Sequence, residues 1–130
     1  MLTFDAATIG RLAACLGIGV VVGTVGTAVH RALPWGLALA LAAVIAVGIL
    51  ARAWGGGATV LATGLGVTSS VALLGGRGPG GDVLVAADAV GWAWYVGALL
   101  VAVAYLVPRS WFSETEIGRR AAEPAPTDPA

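Results

Sequence analysis

Side chains able to do chemistry are scarce in this chain. There is one imidazole, His30, and one thiol, Cys15. A general base or a metal centre needs converging partners, and no second histidine exists to supply one. His30 stands beside Arg31 at an expected helix end, a position that suits an interfacial polar group better than a ligand or a base. A solitary cysteine excludes an internal disulfide and any cysteine-based zinc site. Asp82 and Asp88 share a glycine-rich stretch with Arg77, a trio of the kind that holds a polar headgroup or a cation. Asp88 is better placed to cap the helix that follows, since an N-cap aspartate accepts an orphan backbone N–H at the positive end of the helix dipole. The run from Gly75 to Gly81 has the glycine content of a phosphate loop but lacks the Lys-Ser/Thr pair that completes one. These residues predict no catalytic, cofactor-binding or metal site, and hence a chain that is not an enzyme.

The elements that must position these few groups are unsuited to water. Of 130 residues, 58% are hydrophobic and 11% charged, against roughly 45–50% and roughly 25% in soluble domains. The twenty glycines point the same way, because glycine costs about 1 kcal/mol against alanine in a water-exposed helix but is frequent in membrane helices. All seven basic residues are arginine, balanced by seven acids to a formal net charge of zero. They are scattered singly until the tail, which excludes a nucleic-acid-binding surface.

Crossing a bilayer takes about 20 largely apolar residues. Four segments approach that length, at about 12–29, 33–51, 58–74 and 89–107. They predict an all-α membrane domain over residues 1–107, with four transmembrane helices in an antiparallel up-and-down bundle. The short link from Arg31 to Pro34 demands a hairpin, with Pro34 near the first turn of the second helix, where its missing N–H is harmless. Arg52 to Gly57 makes a second tight turn. Val83-Leu84-Val85, in the longer third connection, is expected to touch the interface or the bundle mouth. Residues 108–130 read as a polar, largely disordered cytoplasmic tail, within which Ser113 and Glu116 have capping-box spacing.

Basic flanks are retained on the cytoplasmic side. With both termini inside, Arg11, Arg52, Arg109, Arg119 and Arg120 are cytoplasmic and only Arg31 and Arg77 face outward, so a multi-pass protein of the plasma (inner) membrane is expected. Trp35, Trp92 and Trp94 then form an outer aromatic belt, and Trp54 and Trp111 an inner one. Leu12-Ala13-Ala14-Cys15 looks like the box before a lipid-modified cysteine, but Asp5 and Arg11 interrupt the apolar stretch that signal needs. A cleaved signal peptide fits poorly too, since the residues before Arg11 are acidic and the apolar run exceeds the usual roughly 7–15 residues. The first helix is therefore expected to stay in the membrane.

Small side chains at four-residue spacing let lipid-embedded helices approach closely. The first span carries Cys15, Gly19, Gly23 and Thr27, the second Ala38, Ala42 and Ala46. The third carries Ala58, Ala62, Gly66 and Ser70, the fourth Ala89, Ala93 and Gly97. Gly19, Gly23, Gly66 and Gly97 are the expected helix-packing positions. Thr24, Thr63, Thr68, Ser69 and Ser70 are expected to bond backbone carbonyls or neighbouring helices. No span holds Asp, Glu, Arg or His near its middle, which removes the usual equipment of proton relays, voltage sensing and charged-substrate transport.

Gly26-Thr27-Ala28-Val29-His30-Arg31 running into Pro34-Trp35-Gly36-Leu37, with the later Gly81-Asp82-Val83-Leu84-Val85 and Gly91-Trp92-Ala93-Trp94, resembles a family of uncharacterised small actinobacterial four-span membrane proteins. The likeness covers roughly residues 10–107. The outer-loop Gly-Asp and the aromatic start of the last helix recur in that family, so the resemblance implies Asp82 and Trp92 as contact positions, with Arg77 beside them. It implies no activity, and at most a link to thiol or envelope metabolism through genes near a deacetylase of the mycothiol pathway. The expected function is a non-enzymatic scaffold or accessory subunit of a membrane assembly, with a small transporter or channel for a neutral or apolar solute as the alternative. Expected partners are the lipid bilayer and other membrane proteins or further copies of the chain, with no cofactor and no nucleic acid.

Overall fold

The computed structural model describes residues 5–32, 34–76, 80–83 and 85–112. Among them the regular structure is all helical: α1 (Ala6–Val29), α2 (Gly36–Gly55), α3 (Gly57–Gly75) and α4 (Ala89–Ala98). A 3-10 segment, Leu99–Leu106, continues α4, and a short 3-10 turn follows at Arg109–Phe112. Counting Ala89–Leu106 as one, the chain has four helices long and apolar enough to cross a membrane. That is the make-up of a multi-pass membrane protein. Arg77, Leu84, Ser113, Glu116 and the rest of the expected disordered tail lie outside the described residues.

Local chemistry explains where the helices depart from the expected spans. Asp5 caps α1, its carboxylate accepting from the Thr8 backbone N–H at 2.9 Å, so the helix starts before the apolar run and takes in Arg11. At its other end α2 continues past Arg52 to Gly55, leaving only Gly56 between it and α3. Gly56 has φ +78°, a left-handed conformation that glycine adopts without steric cost. Pro34 stands just before α2, near its first turn as expected, with Trp35 as the N-cap residue.

The fourth span changes pitch for a reason visible in its buried residues. Ala98, Val101 and Ala104 are buried at a spacing of three, and three residues per turn keeps them in one straight ridge. That ridge faces glycines. A Cβ at Gly48 would meet the Val101 carbonyl oxygen at 3.0 Å and the Ala104 Cβ at 3.3 Å, and one at Gly64 would meet a Val101 methyl at 3.0 Å. The larger 3-10 rise also brings this 18-residue span to about 31 Å, close to the roughly 30 Å hydrocarbon core.

α1 and α3 share the most extensive contact, while α2 and α3 each touch every other helix. Gly19 lies against Thr63, and Gly23 against Val67 and Ser70, so contacts between α1 and α3 advance in the same direction. Those between α1 and α2 run in opposite order, Cys15 and Ile18 sharing a groove with Leu50 and Ala51, Val25 and Val29 one with Leu39 and Ala40. The core is built from small and β-branched side chains around one indole: Ala40, Val44, Val67, Val71, Val85, Ala98 and Val101 surround Trp94. The burial of Val85 agrees with its expected place at the bundle mouth. Ile9, Val21, Leu39, Leu61, Leu73 and Leu106 are exposed on the outside, as befits helices whose solvent is lipid.

Only one complete small-residue row faces inward. Cys15, Gly19, Gly23 and Thr27 are all buried, and Gly66 and Ser70 of α3 meet them. Gly97 is buried against the Leu41 side chain. Ala38, Ala42 and Ala46 are exposed instead, as are Ala58, Ala89 and Ala93. α2 buries Gly36, Ala40, Val44, Gly48 and Ala51, and α4 buries Gly91, Trp94, Gly97 and Ala98. Three of the span hydroxyls bond as expected, Thr63 to the Thr59 carbonyl (2.9 Å), Thr68 to Gly64 (2.7 Å) and Ser70 to Gly66 (2.9 Å), whereas those of Thr24 and Ser69 make no hydrogen bond among the described residues.

Candidate functional site

A buried polar network lies where α1 ends. His30 is the C-cap residue, its backbone N–H donating to the Gly26 carbonyl at 2.9 Å. Helical spacing puts its side chain on the face that carries Gly23, Gly26 and Thr27. Trp94 enters opposite from α4 and is wholly buried. Glycine at position 26 makes this possible, because a Cβ there would stand 2.6 Å from the indole Cζ2. The indole Nε1–H donates to the Thr27 hydroxyl at 3.1 Å, and that hydroxyl donates in turn to the Gly23 carbonyl at 2.7 Å. The His30 ring lies nearly parallel to Trp94, with 6.0 Å between ring centroids and 16° between planes.

The protonation pattern of His30 follows from its neighbour. Nδ1 is 2.7 Å from the Thr27 carbonyl oxygen, and a carbonyl only accepts, so Nδ1 carries a proton. In the neutral ring Nε2 is then an acceptor lone pair. It is buried and meets no hydrogen-bond partner among the described residues, in a residue only 1% exposed. Leaving such an atom unsatisfied costs about 1–3 kcal/mol. Chemically the site offers a single acceptor, able to take one N–H or O–H donor.

An ion pair closes this end from outside. The Arg31 guanidinium pairs with Asp88, both side chains about half exposed, while the other Asp88 oxygen accepts from the Gly91 N–H at 2.8 Å as the N-cap of α4. Asp88 therefore caps, as expected, and also ties the end of α1 to the start of α4. The Gly91 N–H, and after it the Arg31 guanidinium, hold the Asp88 carboxyl below its ordinary value. A group whose folded pKa is depressed adds stability above its unfolded pKa, and that stability is lost as pH falls through the folded value. On acidification below about pH 4, the detergent-solubilised chain is expected to lose thermal stability, followed by circular dichroism. Asp88→Ala is expected to start less stable and to lose less on acidification. An equal acid loss in wild type and variant would show that Asp88 carries none of it; Asp5, lowered by its hydrogen bonds from Thr8, contributes a share common to both.

The sequence-derived candidates fare unevenly. Trp92 is 62% exposed and packs its ring 6.1 Å from Tyr95. Asp82 is exposed and makes no hydrogen bond among the described residues. Arg77 lies outside them, and the cation beside Asp88 is Arg31. Trp94 leaves the expected outer belt for the core, whereas Trp35, Trp54, Trp92 and Trp111 are exposed. His30 keeps its expected helix-end position but is buried there, a placement foreshadowed by its spacing of four from Gly26 and three from Thr27.

A second polar cluster, missed by sequence reasoning, occupies the other end of the bundle. The Arg52 guanidinium carbon sits 5.5 Å from the Tyr105 ring centroid, a cation–π arrangement. The Tyr105 hydroxyl donates to the Gly57 carbonyl at 2.8 Å. Thr59 Oγ1 is 2.6 Å from the Ala51 carbonyl and 2.9 Å from that of Gly56, so its one proton is shared between them. Arg109 lays its guanidinium against Gly56. Among the described residues no group of three or more His, Cys, Asp or Glu side chains is placed to hold a metal ion. Comparison with protein-family models, curated proteins and solved structures finds no match.

Proposed function

We propose that this chain is a non-enzymatic membrane component, a scaffold or accessory subunit that joins a further membrane helix through α2. The observation carrying the reading is the exposed row Ala38, Ala42 and Ala46. α1 spends its small-residue row on α3 within the chain, whereas α2 turns a row of the same kind outward, and such rows favour close helix approach in lipid. After mild solubilisation the chain is expected to elute in an assembly larger than one 12.8 kDa chain in its detergent micelle. Ala42→Leu is expected to break that assembly without changing the melting temperature. An assembly untouched by Ala42→Leu, or a wild-type chain that always elutes alone, would defeat the reading.

The carrier alternative has less support. Val44, Val67 and Trp94 are fully buried and fill the centre, and the three apolar grooves lined by both ends and flanks of the helices open to the side. Reconstituted vesicles are expected to show no glycerol flux above that of empty ones.

In the same reading the bundle is up-and-down and antiparallel, in the plasma membrane, with both termini cytoplasmic. The order of contacts along α1, α2 and α3 supports the alternation. The charges support the orientation, since Arg52 and Arg109 share one end of the bundle while Arg31 lies at the other, and basic flanks are retained on the cytoplasmic side. Reporter fusions at the α2–α3 turn are expected to give a cytoplasmic signal, and fusions in the Gly75–Asp88 connection an outer one. The resemblance to small actinobacterial membrane proteins belongs to this proposal and adds Asp82 and Trp92 as positions to mutate beside α2.

A further inference from the structure

We propose that the Arg52–Arg109 end of the bundle binds the phosphate of an anionic phospholipid, one acyl chain of which lies in the groove between α3 and the 3-10 segment. Two guanidiniums converge on one turn. Arg109 lies against Gly56, and an Arg52 Nη lies 3.5 Å from where a Gly57 Cβ would stand. Neither has a carboxylate partner among the described residues, where the one ion pair is Arg31–Asp88 at the far end. The Arg52 Nε is buried without an acceptor among the described residues, and a buried charged donor is costly until an acceptor reaches it. Paired arginines present planar forks of N–H donors that match phosphate oxygens.

The groove distinguishes a lipid from free phosphate as the occupant. Tyr105, which carries Arg52 on its ring, also lines an apolar groove of about 530 Å³ with Leu61, Leu65 and Val101. From Leu61 to Thr68 the groove follows α3 for about 10 Å, enough for part of an acyl chain. Trp54 and Trp111 are exposed nearby in sequence, and tryptophan prefers the headgroup level. The inference needs the bilayer setting but not the partner helix on α2, so the two proposals fail separately.

The test uses the full chain in neutral detergent, titrated with phosphatidylglycerol or with phosphatidylcholine of the same acyl chains, bound lipid being counted by native mass spectrometry. Phosphatidylglycerol is expected to bind about tenfold more tightly. Arg52→Gln and Arg109→Gln are each expected to weaken it by about fivefold, and Arg31→Gln, a cation at the opposite end of the bundle, to leave it unchanged. Arg109 lies in the exposed turn after the last span, so its variant remains informative even if loss of the Tyr105 contact makes the Arg52 variant unfold. Leu65→Trp, which fills the groove, is expected to weaken binding too. Equal binding of the two lipids, or unchanged binding by Arg109→Gln or Leu65→Trp, would overturn the proposal. Displacement of phosphatidylglycerol by millimolar inorganic phosphate would overturn the lipid assignment in favour of free phosphate.

Discussion

Gly23→Leu is expected to force α1 away from α3 and to lower the unfolding free energy by about 3 kcal/mol, at the upper end of the usual cost of overpacking. A Cβ at this position would stand 2.7 Å from the Val67 carbonyl oxygen and collide with Ser70 Oγ. Neither obstacle gives way cheaply. One is backbone, and the other is a hydroxyl held to the Gly66 and Val67 carbonyls at 2.9 Å each. The contact is reciprocal, since a Cβ at Gly66 would stand 2.8 Å from the Val20 nitrogen. Gly17 supplies the control. It lies in the same helix with nothing within 4 Å of where a Cβ would stand, so Gly17→Leu is expected to leave stability unchanged. Titration into sodium dodecyl sulfate, followed by circular dichroism, measures both. Matching midpoints for Gly23→Leu and wild type would show that α1 and α3 do not depend on this close approach.

Trp94→Ala is expected to cost about 3–5 kcal/mol, the range for emptying a large aromatic from a packed core. The indole fills the space between Val71, Val85 and Gly26 and satisfies Thr27. Trp94→Phe separates the two contributions, keeping most of the ring volume while removing the Nε1–H donor, at a cost of about 1 kcal/mol. The same denaturation titration reads both variants. Equal losses would mean that the hydrogen bond, and not the volume, holds α4 against the end of α1. The phenylalanine variant also removes the indole stacked on His30, so the imidazole proton resonances are expected to shift even though the fold survives.

How much of this was legible in the sequence depended on whether a local signal had a direction. The four spans were readable because length and apolarity are properties of a segment alone. The Asp88 cap was readable for the same reason, an acid standing immediately before an apolar run. The α1 face was readable because four small residues, Cys15 to Thr27, fall in one row. The faces of α2 and α4 were not. Their surfaces are apolar all round, so burial of Ala40 and Val44 rather than Ala38 and Ala42 is decided by neighbours that spacing does not reveal. Trp94 was misplaced for a related reason: an aromatic two residues from exposed Trp92 has an interfacial composition, and only the gap opposite it at Gly26 makes the core its place. The convergence of Arg52 with Tyr105 and Arg109 joins residues more than fifty positions apart and leaves no trace in any short window.

The single residue at Gly56 has a consequence for the entropy of closing the bundle. Closing a chain segment costs more entropy as it lengthens, and between α2 and α3 there is almost nothing to close, whereas 13 residues, Gly76 to Asp88, separate α3 from α4. Of the three connections, the α2–α3 joint therefore costs the least entropy to close. Lengthening that joint by a flexible insert would raise this cost and would also disturb the contacts that Arg109, Tyr105 and Thr59 make at the turn.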